Sequence, residues 1–199
     1  MKLIFATKNS GKTKELSKAL EETEFKVESL INQRIEAAPE TGSSFLENAL
    51  IKCKSVSETT GRPTIADDSG LVVPALKGRP GIYSARYSGP GASDEENVQK
   101  LIQEISSIPD RRAYFFCCLV FMISSDDPFP IFAQGLWKGE ILKKPAGSGG
   151  FGYDPIFYLP EYGMTAAELP VEVKSLISHR ALAIKDFLSL YLKHEEKHY

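Results

Sequence analysis

Two adjacent carboxylates, a hydroxyl and a glycine follow a short apolar run in Ile65-Ala66-Asp67-Asp68-Ser69-Gly70-Leu71. Neighbouring carboxylates repel, so a fold has little structural reason to deliver both to the end of a buried strand. A divalent cation supplies the reason, because hard oxygen ligands suit magnesium and its charge relieves the repulsion. The plain alternative is a turn, which Asp, Ser and Gly all favour.

Three further groups of residues have chemistry-bearing types and spacing. Ala6-Thr7-Lys8-Asn9-Ser10-Gly11-Lys12-Thr13 joins an apolar strand to a helix start through a polar loop. Backbone N–H groups there, with Lys12 beside them, make a cradle for phosphate. The string nearly satisfies the P-loop pattern, with Ala6 where the first glycine belongs. Ser148-Gly149-Gly150-Phe151-Gly152-Tyr153-Asp154-Pro155 lets backbone approach a flat ligand while Phe151 offers a stacking face and Asp154 an acceptor for a purine N–H. It reads equally as a glycine turn with core aromatics. Lys174-Ser175-Leu176-Ile177-Ser178-His179-Arg180 adds donors near the last helix, of the kind that read a carbonyl oxygen. Glu40-Thr41-Gly42 precedes a helix, where Glu40 either complements the helix dipole or reaches a metal. His194-Glu195-Glu196-Lys197-His198 fits the zinc-protease string, but its place in the last residues argues for a charged, solvated tail.

The elements that must position these groups follow from periodicity. Strands are expected at Lys2–Ala6, Phe25–Leu30, before the Asp pair, and again at Leu71–Ala75. Ala113–Ile123 and Ile131–Leu142 read as a long hairpin. Helices are expected at 12–20, after Ser44 with its capping-box partner Glu47, after Ser93 with Glu96, and from His179 to about Lys193. The apolar face of the second helix is read as Leu46, Ala49, Leu50, Cys53 and Val56, and that of the last as Ala181, Ile184, Leu188, Tyr191 and Leu192. Lys77–Gly91, rich in Gly and Pro, reads as a surface excursion. Strands interleaved with helices indicate an α/β fold with a mixed sheet, over 199 residues without a linker that would split independent domains. A net charge of −2 provides no basic field for nucleic acid, so any polyanion must be gripped locally. No stretch is apolar enough to span a membrane, and the start MKLIFATKNS turns polar too soon for a signal peptide. Cys53, Cys117 and Cys118 lack metal-ligand spacing and read as reduced cytosolic thiols.

Taken in order, ATKNSGKTKEL, ETGSSFLENALIKC, IADDSGL, GIYSARYSG, PAGSGGFGYDPIF and the K-S-x-I-S-H-R run resemble the inosine triphosphate pyrophosphatase family, its bacterial members especially. The resemblance covers essentially the whole chain. It implies hydrolysis of deaminated purine nucleoside triphosphates (ITP, dITP, XTP) to the monophosphate and pyrophosphate, sanitising the nucleotide pool. It implies an elongated mixed α/β sheet flanked by helices, with two lobes, not independent, and an active-site cleft between them; a homodimer; and a cytoplasmic location. By the same resemblance Thr7, Lys8, Asn9, Ser10, Gly11 and Lys12 bind the triphosphate. Asp68 holds magnesium and accepts the proton, with Glu40 as second metal ligand. Ser69, Phe151, Gly152, Tyr153, Asp154, Lys174, His179 and Arg180 contact substrate. Met164 and Val173 depart from residues common in the family without removing a ligand. A P-loop phosphotransferase and a non-catalytic nucleotide sensor are the rival readings.

Overall fold

Lys2–Phe5 forms β1, and three of its four residues are buried because strands flank it on both sides. The computed structural model describes residues 1–31, 33–36 and 38–198, with the side chains of 194–198 outside that description. The His194–His198 string therefore lies outside the described side chains. The remaining strands are β2 (Lys26–Ser29), β3 (Thr64–Val72), β4 (Arg112–Met122), β5 (Ile131–Ile141), β6 (Phe157–Leu159) and β7 (Met164–Thr165). The helices are α1 (Ser10–Ala19), α2 (Phe45–Thr60), α3 (Asp94–Ile105), α4 (Val171–Ile177) and α5 (His179–His198). The seven strands form one mixed sheet in the order β2-β1-β3-β4-β5-β6-β7. β1 runs parallel to β2 and β3, and β6 runs antiparallel to β5 and β7.

The chain divides into two compact units: residues 1–68, 117–135 and 179 onward, and residues 69–116 with 136–178. The first unit has an apolar core on each face of its strands. Leu3, Phe5 and Ile65 pack with Leu16 and Leu20 of α1 and with Ala183, Ile184 and Phe187 of α5. Ile4, Ala6 and Ala66 pack with Ala49, Cys53 and Val56 of α2. Consecutive residues of β1 and β3 thus go to opposite faces, as strand geometry requires. α5 lies so close to β5 that a Cβ on Gly135 would stand 2.0 Å from the His179 carbonyl oxygen. The second unit has a single core, in which Val98, Leu101 and Ile105 of α3 pack with Leu71, Phe115, Trp137 and Phe157.

Several expectations are revised. The Asp pair is not at a strand end: β3 continues through Ser69 and Gly70 to Val72, so neither forms a turn. The strand expected at Leu71–Ala75 ends with β3 at Val72 and gives way to a 3-10 turn at Pro74–Leu76, and the 77–91 segment is partly internal, with a 3-10 turn at Gly81–Arg86 and with Ser84 and Tyr87 buried. Leu46 and Leu192 are exposed, and the buried face of α5 runs instead through Arg180, Ala183, Ile184, Phe187 and Tyr191. The 174–180 run is cut in two, because Ser178 is extended and separates α4 from α5. The capping-box expectation holds in full on α3 and by half on α2, where the Glu47 carboxylate accepts from Ser43 instead. Ser44 caps α2 through the Glu47 N–H, and Ser93 with Glu96 forms a full capping box on α3. Cys53, Cys117 and Cys118 are free and buried, and burial pushes the Cys118 thiol up to about 11.

Candidate active site

β3 delivers Asp67 and Asp68 to opposite faces of the first unit's strands, and the two carboxylates meet different company. Asp67 follows Ile65 onto the α1/α5 face. It accepts from the Lys12 ammonium at 3.1 Å and from Arg180 Nη2 at 3.1 Å. Arg180 also donates to Glu15 of α1, so that Lys12, Asp67, Arg180 and Glu15 form a chain of alternating charge. Burial pushes the Asp67 carboxyl up, but Lys12, Arg180 and Lys52 outweigh it and hold it well below the usual carboxylate range.

Asp68 follows Ala66 onto the α2 face. Asn48 and Lys52 stand one helical turn apart on α2, among its buried residues Ala49, Cys53 and Val56. The Asn48 amide donates to Asp68 Oδ2 at 3.0 Å, and the Lys52 ammonium lies 3.7 Å from Asp68 Oδ1 and 2.7 Å from Glu40. Burial raises the Asp68 carboxyl to about 6, with Lys52 pulling it down and Glu40 adding to the rise. Two adjacent, identical residues are thereby driven to opposite ionisation behaviour. Such divergence is what separates a structural counter-ion from a group poised to exchange a proton near neutrality.

Asn48 also fixes the segment that bears Glu40. Its carbonyl accepts the Gly42 N–H at 2.8 Å, and a Cβ on Gly42 would come within 2.6 Å of Glu47 Cβ and 2.8 Å of Asn48 Oδ1. Only a glycine lets the 40–42 segment lie this close to α2. The result is two carboxylates converging on one cation, Lys52. That donor set suits a hard divalent ion that keeps several waters and takes its other ligands from phosphate oxygens. No closed cage of protein ligands exists: among the described residues no group of three or more His, Cys, Asp or Glu converges.

The 7–12 loop, read from sequence as a phosphate cradle, lies on the same unit. Asn9 caps α1, its side chain accepting the Lys12 N–H at 2.9 Å, while the Asn9 N–H donates to Thr7 Oγ1 at 3.2 Å. Ser10, Gly11 and Lys12 form the first turn of α1, so the helix start faces the loop. Only four residues separate β1 from α1, too few for the wrapped P-loop that the sequence string suggested. Lys8 is exposed and pairs with Glu36. His179 and Arg180 open α5, both buried, with Arg180 only 1% exposed and engaged by carboxylates.

In the second unit, Phe151 to Asp154 form a tightly folded loop. Asp154 accepts the Phe151 N–H at 2.9 Å and the Lys174 ammonium at 2.5 Å, and that ammonium sits 5.4 Å from the Phe151 ring centroid. Gly152 donates to Asp94, and Tyr153 is buried with its hydroxyl on the Ser84 carbonyl. A Cβ on Gly150, whose φ is +75°, would lie 1.9 Å from Asp154 Oδ2. Ser69 is half-buried in β3.

Lys52, Asn48 and Glu15 escaped the sequence reading. The available signal was polar residues at 48 and 52 on the face shared by Ala49, Cys53 and Val56, where an amphipathic helix should be apolar.

Residues 3–190 match the model of the Ham1 family. A dITP/XTP pyrophosphatase of Shigella flexneri is 49% identical over 92% of this chain and 94% of its own length. One from Yersinia pestis is 50% identical over the same shares. A solved HAM1 protein structure from Coxiella burnetii superimposes with a TM-score of 0.90 at 39% identity, covering 97% of this chain and 99% of that one.

Proposed function

The chain belongs to the Ham1 family, and from that premise we propose that it hydrolyses deaminated purine nucleoside triphosphates to the monophosphate and pyrophosphate. It is an enzyme of the nucleoside-triphosphate pyrophosphatase kind. The observation that carries the reading is the divergence of the Asp pair. Asp68 is buried, raised to about 6 and flanked by Glu40, Asn48 and Lys52, on the unit that also bears the α1 start and Lys12.

Asp68 and Glu40 would hold magnesium. When bound, a magnesium ion neutralises phosphate charge and acidifies nearby water. Asp68 takes the proton from the attacking water, in its ionised form. Asn48 keeps one of its oxygens occupied, which orients the other. Thr7 to Lys12 and the start of α1 bind the polyphosphate, and Lys12 stabilises the departing pyrophosphate. Lys52 supplies a second cation for the same phosphates.

Base selection needs donors for the 6-oxo group, which would face another donor in adenosine. A mispaired site of that kind rejects the wrong base by roughly 10⁴-fold. Ser69, Phe151 to Asp154, Lys174, His179 and Arg180 are assigned to substrate contact by the family resemblance. Asp154 and Arg180 are each engaged inside their own unit, so their contribution is to hold the donors in place.

The test is direct. Incubation with magnesium and a panel of ITP, XTP, dITP, GTP and ATP, followed by product separation, should give monophosphate and pyrophosphate from the deaminated purines. Release of inorganic phosphate and a diphosphate would instead favour a γ-phosphate reaction, and binding without turnover a sensor. A cytoplasmic homodimer completes the proposal. Light scattering of the purified protein should give twice the 22.0 kDa chain mass, and a monomer at working concentration would remove the dimer.

A further inference from the structure

Asp67 plays no part in the proton transfer assigned to Asp68, yet it is 1% exposed and accepts charge-assisted bonds from both Lys12 and Arg180. Burying a carboxylate is costly, and an apolar cluster would fasten α1 to β3 at least as well. The charge therefore needs another purpose. Both Asp67 oxygens lie within 3.1 Å of the Lys12 ammonium. Oδ2 also receives Arg180 Nε at 3.3 Å and Nη2 at 3.1 Å. Arg180 Nη1 turns back to Glu15, three residues beyond Lys12 on the same face of α1. α1 is thus tied to β3 twice, once through Lys12 and once through Glu15 and Arg180. Lysine is a point charge on a flexible four-carbon stem and holds no fixed position unaided.

We propose that Asp67 is a positioning residue: with Arg180 and Glu15 behind it, it fixes the Lys12 ammonium at the phosphate-binding end of α1. This rests on the reading of Lys12 as a phosphate ligand, and it deepens that reading. One aspartate of the pair serves the water; its neighbour serves the leaving group through Lys12. Misplacing a binding group by about 1 Å costs on the order of 10²-fold.

The experiment separates the two layers. Wild-type protein, magnesium and ITP test the underlying reading, which fails if no IMP and pyrophosphate form. Asp67→Asn then tests the positioning role through binding of a non-hydrolysable ITP analogue and of IMP, measured by calorimetry. We expect affinity for the analogue to fall about tenfold to a hundredfold while that for IMP is kept. Lys12→Ala should show the same selective loss, and the double variant should lose no more than Lys12→Ala alone. An equal loss for IMP and analogue, or additive losses in the double variant, would overturn the proposal. Should Asp67→Asn fail to fold, ¹⁵N spectra of the wild-type protein decide. The Lys12 ammonium, identified by its disappearance in Lys12→Met, should exchange slowly with water; exchange as fast as that of exposed lysines overturns the assignment.

Discussion

Gly135→Ala tests how tightly α5 must sit on β5. A Cβ at this position would meet the His179 carbonyl oxygen at 2.0 Å, the Ala183 nitrogen at 2.5 Å and Leu182 Cβ at 2.9 Å. Two of the three obstacles are backbone, so no side-chain rotation relieves them. Ordinary contact begins near 3.4 Å, which leaves α5 about 1.4 Å too close at the His179 carbonyl. Overpacking of a filled core costs about 1–3 kcal/mol, and rigid backbone on one side places this case near ~3 kcal/mol. For a chain of this size each kcal/mol moves the melting temperature by about 2–4 °C, so a fall of about 6–12 °C is expected by circular dichroism. The displacement also acts on function. Arg180 is the second residue of α5, and its bonds to Asp67 are 3.1 and 3.3 Å. A shift near 1 Å breaks them and loosens Lys12, so kcat/KM for ITP should fall by on the order of 10²-fold. A melting temperature within about 2 °C of wild type, with unchanged kinetics, would show that the Gly135 contact does not constrain α5.

Asp68→Asn keeps the shape of the site and removes the proton acceptor, so turnover should drop about 10²- to 10⁴-fold while nucleotide binding survives; near-normal kcat would take Asp68 out of that role. At limiting magnesium the acid limb of kcat/KM should follow the ionisation of metal-free Asp68, activity falling as pH drops below about 6, because the carboxylate binds the cation and accepts the proton only when deprotonated. Lys52→Gln removes a cation that favours the ionised carboxylate, so that limb should move to higher pH, and a stationary or lower limb would refute the coupling. Gly150→Ala combines a positive φ with a Cβ 1.9 Å from Asp154 Oδ2. It should break the Asp154–Lys174 pair and raise KM more than it lowers kcat, read from initial rates with ITP.

Much of the fold was legible because its signals are local. The capping pairs at Ser44 and Ser93 set two helix starts correctly, and the apolar runs at 113–123 and 131–142 placed the two long strands. Errors arose where tertiary packing overrode composition. Asp, Ser and Gly at 67–70 favour a turn, but flanking strands hold them extended in β3. The Gly and Pro content of 77–91 suggested solvent, whereas Tyr87 joins the core of the second unit and Ser84 is buried. For the site, residue types were readable and partners were not. Arg180 looked like a base reader, yet its buried guanidinium is held by Asp67 and Glu15, residues 113 and 165 positions away. Sequence spacing carries no signal for contacts that distant. The opposite facing of Asp67 and Asp68 was available in principle from the two-residue period of a strand, once the segment is recognised as strand rather than turn.

That alternation makes strand registration a chemical variable. β3 is aligned with β1 at Ile4 opposite Thr64 and Phe5 opposite Ile65. Sliding it by one position would seat residue 68 in the cation-rich surroundings of residue 67 and bring Ser69 beside Asn48, removing the carboxylate from that place without altering a single side chain. A deletion of one residue upstream, in the 61–64 approach to the strand, would therefore read as conservative in composition and act as the loss of the carboxylate beside Asn48.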